Sequence, residues 1–122
     1  MNGSHAGGDL KDRTKMFAIR IINLYSALPK TTEAQILGKQ LLRCGTSVGA
    51  QYRECQHAKS DADFISKIEG SLQELEEATY WLELMDEMGL FSADKLRPIR
   101  QETKELTAIF VTIARKVKSR RV

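Results

Sequence analysis

The chain predicts an all-α fold, an antiparallel up-down-up-down four-helix bundle, on three observations. Apolar residues recur at helical spacing through four long segments, and no strand-like alternation interrupts them. Only two prolines, Pro29 and Pro98, occur in 122 residues, so long helices can run unbroken. The links between segments are short, which returns each helix antiparallel to the one before it.

The first segment predicts a helix from Asp9 to Leu28. Phe17, Ile21, Leu24 and Leu28 share one face, with Tyr25 beside them. Ile19 and Ile22 fall off that face, which predicts cover on more than one side. Pro29 stops the helix, because the residue before a proline avoids the helical region. Thr32 reads as the N-cap of the second helix, with Gln35 completing a capping box. Ala34, Leu37, Leu41, Cys44, Val48, Tyr52 and Cys55 form its core stripe, and Gly38, Gly45 and Gly49 lie directly beside it. Each glycine inside a helix costs about 0.5–1 kcal/mol relative to alanine. Three together predict a compensating gain, the close approach of another helix. A loop from Cys44 to Gly49 is the competing reading.

Ser60 reads as the cap of the third helix, with Asp61 and Asp63 in its positive first turn. Phe64, Ile68, Leu72, Leu75, Thr79 and Leu82 make its predicted core face. Trp81, Leu84 and Met88 lie on a different face, with Tyr80 near them. That second apolar patch exceeds what a four-helix monomer needs and predicts an interface with another subunit. Gly89 ends this helix and Ser92 caps the last one. Pro98 either kinks the last helix or starts it after an irregular first turn. Beyond it Ile99, Leu106, Phe110, Ile113 and Val117 share a face with Ile109. The expected organisation is a disordered or vector-derived tail over residues 1–9, the bundle over 10–118, and a basic C-terminal tail over 119–122.

A formal net charge of +3 hides a strong separation. Residues 1–60 carry nine basic and four acidic side chains, residues 61–88 one basic and nine acidic, and residues 89–122 nine basic and three acidic. The third helix is therefore acidic and its neighbours basic. Two uses compete: pairing of the acidic helix with basic helices of the same or a neighbouring subunit, and contact of the remaining basic surface with phosphates. No aromatic residue interleaves the basic tail, so base stacking is not indicated there.

Tests for chemistry come out negative. Glu54 and His57 match Glu-x-x-His, but a di-iron bundle needs two such units, and the only other histidine, His5, lies in the tail. Gly45 to Gly49 lacks the Gly-Lys-Ser/Thr ending of a P-loop. Cys55 and His57 are two apart and do not face each other on a helix. Cys44 and Cys55, the only cysteines, are about 16 Å apart along one helix and read as small buried hydrophobes. The chain is expected to be no enzyme and to hold no metal or cofactor. No apolar run reaches the ~20 residues of a membrane span, and the expected compartment is the cytoplasm.

The run from Arg43 to Ala50, the run from Arg53 to Lys67 and the stretch from Glu77 to Leu82 resemble a four-helix-bundle family. That family is named for proteins encoded in the intervening sequences of bacterial 23S rRNA genes. Phe17 to Ile22 resembles the family's first helix, and the likeness extends from about Thr14 to Val117. The resemblance implies an antiparallel bundle assembled as a homopentamer. It also implies similarity in fold to the accessory protein of diversity-generating retroelements, a basic pentamer that binds nucleic acid and a reverse transcriptase. Gln51 stands where the family commonly has Asn, so any buried hydrogen bond of that Asn must be re-formed by a longer side chain.

The leading expectation is an oligomer, a pentamer by resemblance, that binds structured RNA or DNA without reading sequence. Its basic candidates are Lys39, Arg43, Arg53, Arg115, Lys116, Lys118, Arg120 and Arg121, and its subunit-interface candidates Tyr80, Trp81, Leu84 and Met88. The rival expectation, from another class, is a protein-interaction scaffold with no nucleic-acid role.

Overall fold

A computed structural model of the chain describes residues 6–120, with side chains from Leu10 onward. It contains four helices: α1 (Ala6–Ser26), α2 (Thr32–Cys55), α3 (Asp61–Glu87) and α4 (Ala93–Arg120). The expected N-terminal tail falls partly on residues 1–5, which lie outside the described residues, and α1 begins at Ala6. No helix among the described residues is long and apolar enough to cross a membrane.

The register of side-chain contacts gives the directions. Positions 38, 45 and 49 of α2 face Leu28, Ile21 and Thr14 of α1 in descending order. Arg43 meets Glu77, Ser71 meets Val48, and Lys67 meets Glu54, so α2 and α3 also run oppositely. Arg100 with Asp86 and Lys118 with Glu69 repeat the pattern between α3 and α4. The bundle is therefore up-down-up-down. Helices adjacent in the chain pack extensively, whereas α1 and α4 meet sparsely.

The core follows the predicted stripes on three helices, except that Leu37 of α2 and Ile109 and Ile113 of α4 are only half-buried. Phe17, Ile21, Leu24 and Leu28 of α1 are buried, as are Ala34, Leu41, Cys44, Val48, Tyr52 and Cys55 of α2. On α4 the buried row is Leu96, Ile99, Thr103, Leu106, Phe110, Ala114 and Val117. Tyr52 and Phe110 stack across the interior with ring centroids 5.5 Å apart. The third helix is rotated from its expected phase. Ile65, Ser71, Ala78 and Met85 are buried with Ile68, Leu75 and Leu82, while Phe64 and Leu72 are half-buried and Thr79 is exposed. The reason is that α3 approaches its neighbour through small residues. Ser71, fully buried, donates its Oγ hydrogen to the Val48 carbonyl at 3.0 Å.

The glycines of α2 explain the close α1–α2 seam. The helix is continuous from Thr32 to Cys55, so the loop reading for Cys44–Gly49 is wrong. A Cβ built at Gly45 would lie 2.9 Å from both Cγ1 and Cγ2 of Ile21, and one at Gly49 would lie 3.0 Å from Thr14 Oγ1. Both neighbours are stiff, buried, β-branched residues of α1. At Gly38 the obstacles are Leu28 Cδ1 and the Tyr25 ring, which can swing aside more easily.

Helix ends differ from expectation at two places. Thr31, not Thr32, is the N-cap of α2, and its side chain accepts from the Ala34 N–H at 3.3 Å. Ala34 thus occupies the position a capping-box glutamine needs. Gln35 instead accepts from Tyr25 Oη at 3.0 Å and donates to the Pro29 carbonyl at 2.9 Å, tying the link to both helices. The last helix starts at Ala93 and runs through Pro98, with Ser92 Oγ accepting from the Lys95 N–H at 3.1 Å. Pro98 lies in the second turn and cannot donate to the Asp94 carbonyl, but both residues are exposed, so water can take that bond. Elsewhere the predicted punctuation holds. Ser60 caps α3 through the Asp63 N–H, and Gly89, at φ +67°, closes it. The Leu90 N–H bonds the Met85 carbonyl and the Gly89 N–H the Asp86 carbonyl, a Schellman motif.

Both cysteines are free and buried. Burial pushes the Cys44 thiol up to about 12 and the Cys55 thiol up to about 11. Neither forms thiolate near neutral pH, so both are expected to resist an aromatic disulfide reagent until the chain unfolds. Fast labelling of the folded protein would contradict that burial. Gly45→Ala gains about 0.5–1 kcal/mol of helix propensity but overpacks against Ile21, at about 1–3 kcal/mol. A net loss of stability is expected, read as a lower urea midpoint, with Gly38→Ala less damaging.

Candidate nucleic-acid and subunit surfaces

The acidic helix takes its counter-charges from the same chain. Arg43 of α2 reaches Glu77 at 2.6 Å and Glu74 at 3.4 Å. From α4, Arg100 pairs with Asp86 at 2.8 Å, Lys118 with Glu69 at 2.6 Å, and Arg120 with Asp61 at 3.3 Å. Lys67, the one cation of α3, returns a pair to Glu54 at 3.0 Å. Each such exposed pair contributes little, roughly 0.2–1 kcal/mol. Together they fix which cations of α2 and α4 lie over α3.

This divides the eight basic candidates. Arg43, Lys118 and Arg120 are engaged by carboxylates, and the hydrogen bond to Glu77 raises the Arg43 pKa further. Lys39, Arg53, Arg115 and Lys116 are exposed and make no ion pair among the described residues. Arg121 lies outside the described residues. The seven that are described do not form one patch. Lys39 precedes Arg53 by about 21 Å along α2, whereas Arg53 and the end of α4 share one end of the bundle, because α2 and α4 both run opposite to α3. Apart from Lys39, the unpaired cations among these candidates therefore gather at that end.

Gln51 re-forms a polar contact between α2 and α3, donating to Glu74 Oε2 at 3.3 Å. Its amide oxygen occupies the place a Cβ would take at Gly70. Gly70 is the one glycine of α3, and only the α2–α3 register shows why it is needed. Burial raises the Glu74 pKa, against the lowering effect of Arg43. Glu54 and His57 are both exposed, and no cluster of three metal-ligating side chains occurs among the described residues.

The four interface candidates split as well. Tyr80 is 53% and Met88 48% exposed on the outer face of α3. Leu84 is half-buried. Trp81 packs against the core of its own bundle, edge-on to Tyr80 at 5.1 Å, with Nε1 enclosed and without a partner among the described residues. A second apolar row, not anticipated as exposed, runs along α1. Ile19 and Ile22 are 40% and 43% exposed, and Met16 continues the row. The other side on which cover was expected is thus open within one chain.

The family model described as "23S rRNA-intervening sequence protein" matches residues 9–112. Among solved structures, the chain is similar to a protein of unknown function from the S23 ribosomal protein family of Bacteroides thetaiotaomicron. The two are 37% identical with a TM-score of 0.82, over 86% of this chain and 97% of that one. No curated protein matches the chain. With the match spanning all four helices, the chain belongs to the 23S rRNA-intervening sequence protein family.

Proposed function

We propose that this protein is a non-enzymatic, cytoplasmic homo-oligomer that binds structured RNA or DNA through phosphate contacts, without reading sequence. The observation that carries this reading is the set of exposed cations, Arg53, Arg115 and Lys116, at one end of the bundle. Among the described residues they remain without carboxylate partners after the acidic helix has taken its own. Oligomerisation multiplies that modest charge, since each subunit of a closed ring brings the same cluster to one surface. Tyr80 and Met88 on α3, and Ile19 and Ile22 on α1, supply two separate apolar faces of the kind a head-to-tail ring requires. The pentamer implied by resemblance is one such ring.

A scaffold without nucleic acid is the second reading, and one observation favours it. Arg43, Lys118 and Arg120 serve the acidic helix within the chain. Basic composition here thus has a structural use that needs no external partner.

Fluorescence titration of a structured RNA and a DNA duplex separates the two. Binding is expected to weaken steeply between about 50 and 200 mM salt. Replacing Arg53, Arg115 and Lys116 by glutamine should reduce the salt slope by about three if each touches a phosphate. Substitution is preferable to truncation, because cutting before Val117 removes a buried core residue. Absence of binding at low salt would leave the scaffold reading. For assembly, Tyr80→Arg with Met88→Lys is expected to lower the mass in light scattering while helical content stays unchanged. Trp81→Ala is the poorer test, since its ring also packs in the monomer core. An unchanged mass would remove Tyr80 and Met88 from the interface.

A further inference from the structure

A groove of about 260 Å³ opens between α3 and the first turns of α4, away from the basic end of the bundle. Arg97, Arg100 and Lys104 line it beside Gln101 and Thr79, with the fully buried Leu82 in its wall. No carboxylate lines it. The three cations recur at i, i+3 and i+7, so one face of α4 presents them together.

The hydrogen-bonding capacity of this lining is uneven. Arg97 contacts Asp94 through Nη1 alone at 2.6 Å, and Arg100 contacts Asp86 through Nη1 alone at 2.8 Å. Both carboxylates stand outside the groove and leave the Nη2 of each guanidinium without a partner among the described residues. Lys104 has no ion pair among them either. A guanidinium carries five N–H donors and an ammonium three, with no acceptor on either group. The neutral polar groups offer less: Thr79 Oγ1 already donates to the Leu75 carbonyl and Gln101 Nε2 to Glu105. Most of the uncommitted donors are thus cationic, with one N–H of Gln101 beside them, and they converge on one concavity beside an apolar wall, where charge-assisted hydrogen bonds gain strength. The positive end of the α4 dipole, at Ala93, also borders the groove.

We propose that this groove is a phosphate-binding site, with Arg97, Arg100 and Lys104 holding the phosphate of a mono- or diester. Its volume falls just below the roughly 300 Å³ at which drug-sized pockets begin. It therefore suits a phosphate and part of the group that carries it. The guanidiniums can offer paired N–H donors to phosphate oxygens, and Lys104 adds a compact charge. The site does not depend on the nucleic-acid reading above, which rests on other residues at the end of the bundle.

The test follows the Nε–H resonances of Arg97 and Arg100 by NMR in the full-length, nitrogen-15-labelled protein as uridine 5′-monophosphate is added at low salt. Both resonances should move and saturate, and uridine without phosphate should move neither. Lys104→Gln and Arg97→Gln should each weaken binding about tenfold, with Lys30→Gln as an unaffected control. A single-stranded oligonucleotide then identifies the source. Competition for the same resonances assigns the groove to backbone phosphates. Oligonucleotide binding that leaves the mononucleotide in place assigns it to a small phosphorylated ligand. The proposal is overturned if neither arginine responds at millimolar ligand. A response that both Lys104→Gln and Arg97→Gln leave unaltered would overturn it equally.

Discussion

Close contact between α1 and α2 is the constraint on which the bundle depends. Ile21 and Thr14 rest on the bare backbone at Gly45 and Gly49, where no side chain can be inserted. This proximity sets the rotation of α2, which turns Leu41, Cys44 and Val48 inward and leaves Arg43 over α3. The α2–α3 seam repeats the device in smaller form, with Ser71 against the Val48 carbonyl and Gly70 against Gln51. Small residues thus determine helix separation, and larger ones fill the space that remains. The glycines lower helix propensity, and the dispersion and burial gained along two seams offset that loss.

Electrostatics follows from this packing. With helices fixed in rotation, the acidic face of α3 lies between cations of α2 on one side and α4 on the other. The resulting pairs are exposed and individually weak, but they determine which positive charges stay available. Net charge alone misleads here. Arg43 and Arg53 look equivalent in the sequence, ten residues apart on the same helix, yet Arg43 contacts two glutamates and Arg53 none among the described residues.

Much of this fold can be read from the sequence because it rests on local or periodic signals. The α2 stripe, the Ser60 and Ser92 caps, and the Gly89 stop all repeat rules that act within a few residues. Failures occur where the determinant is distant or degenerate. Thr31 and Thr32 are adjacent and chemically identical, so pattern alone misplaces the cap by one. The rotation of α3 escapes because hydrophobic periodicity weights Phe64 and Leu72 above Ser71 and Ala78. The small residues are buried only because another helix comes close. The division of cations into paired and unpaired depends on inter-helix register, which no spacing within one helix contains. The groove beside Arg97, Arg100 and Lys104 is half visible: their spacing puts them on one face, but the concavity, and the reach of Arg100 to Asp86, depend on how α4 packs on α3.

The sparse α1–α4 seam has a kinetic consequence. Almost all packing joins helices that follow one another in the chain, with links of a few residues between them. Closing such short loops costs little entropy before contacts reward it, and topologies of this kind fold in roughly microseconds to milliseconds. Nothing in the order of assembly requires the two ends of the chain to find each other first. The terminal helices can therefore join last, onto a hairpin of α2 and α3 whose ion pairs and Ser71 contact are entirely its own.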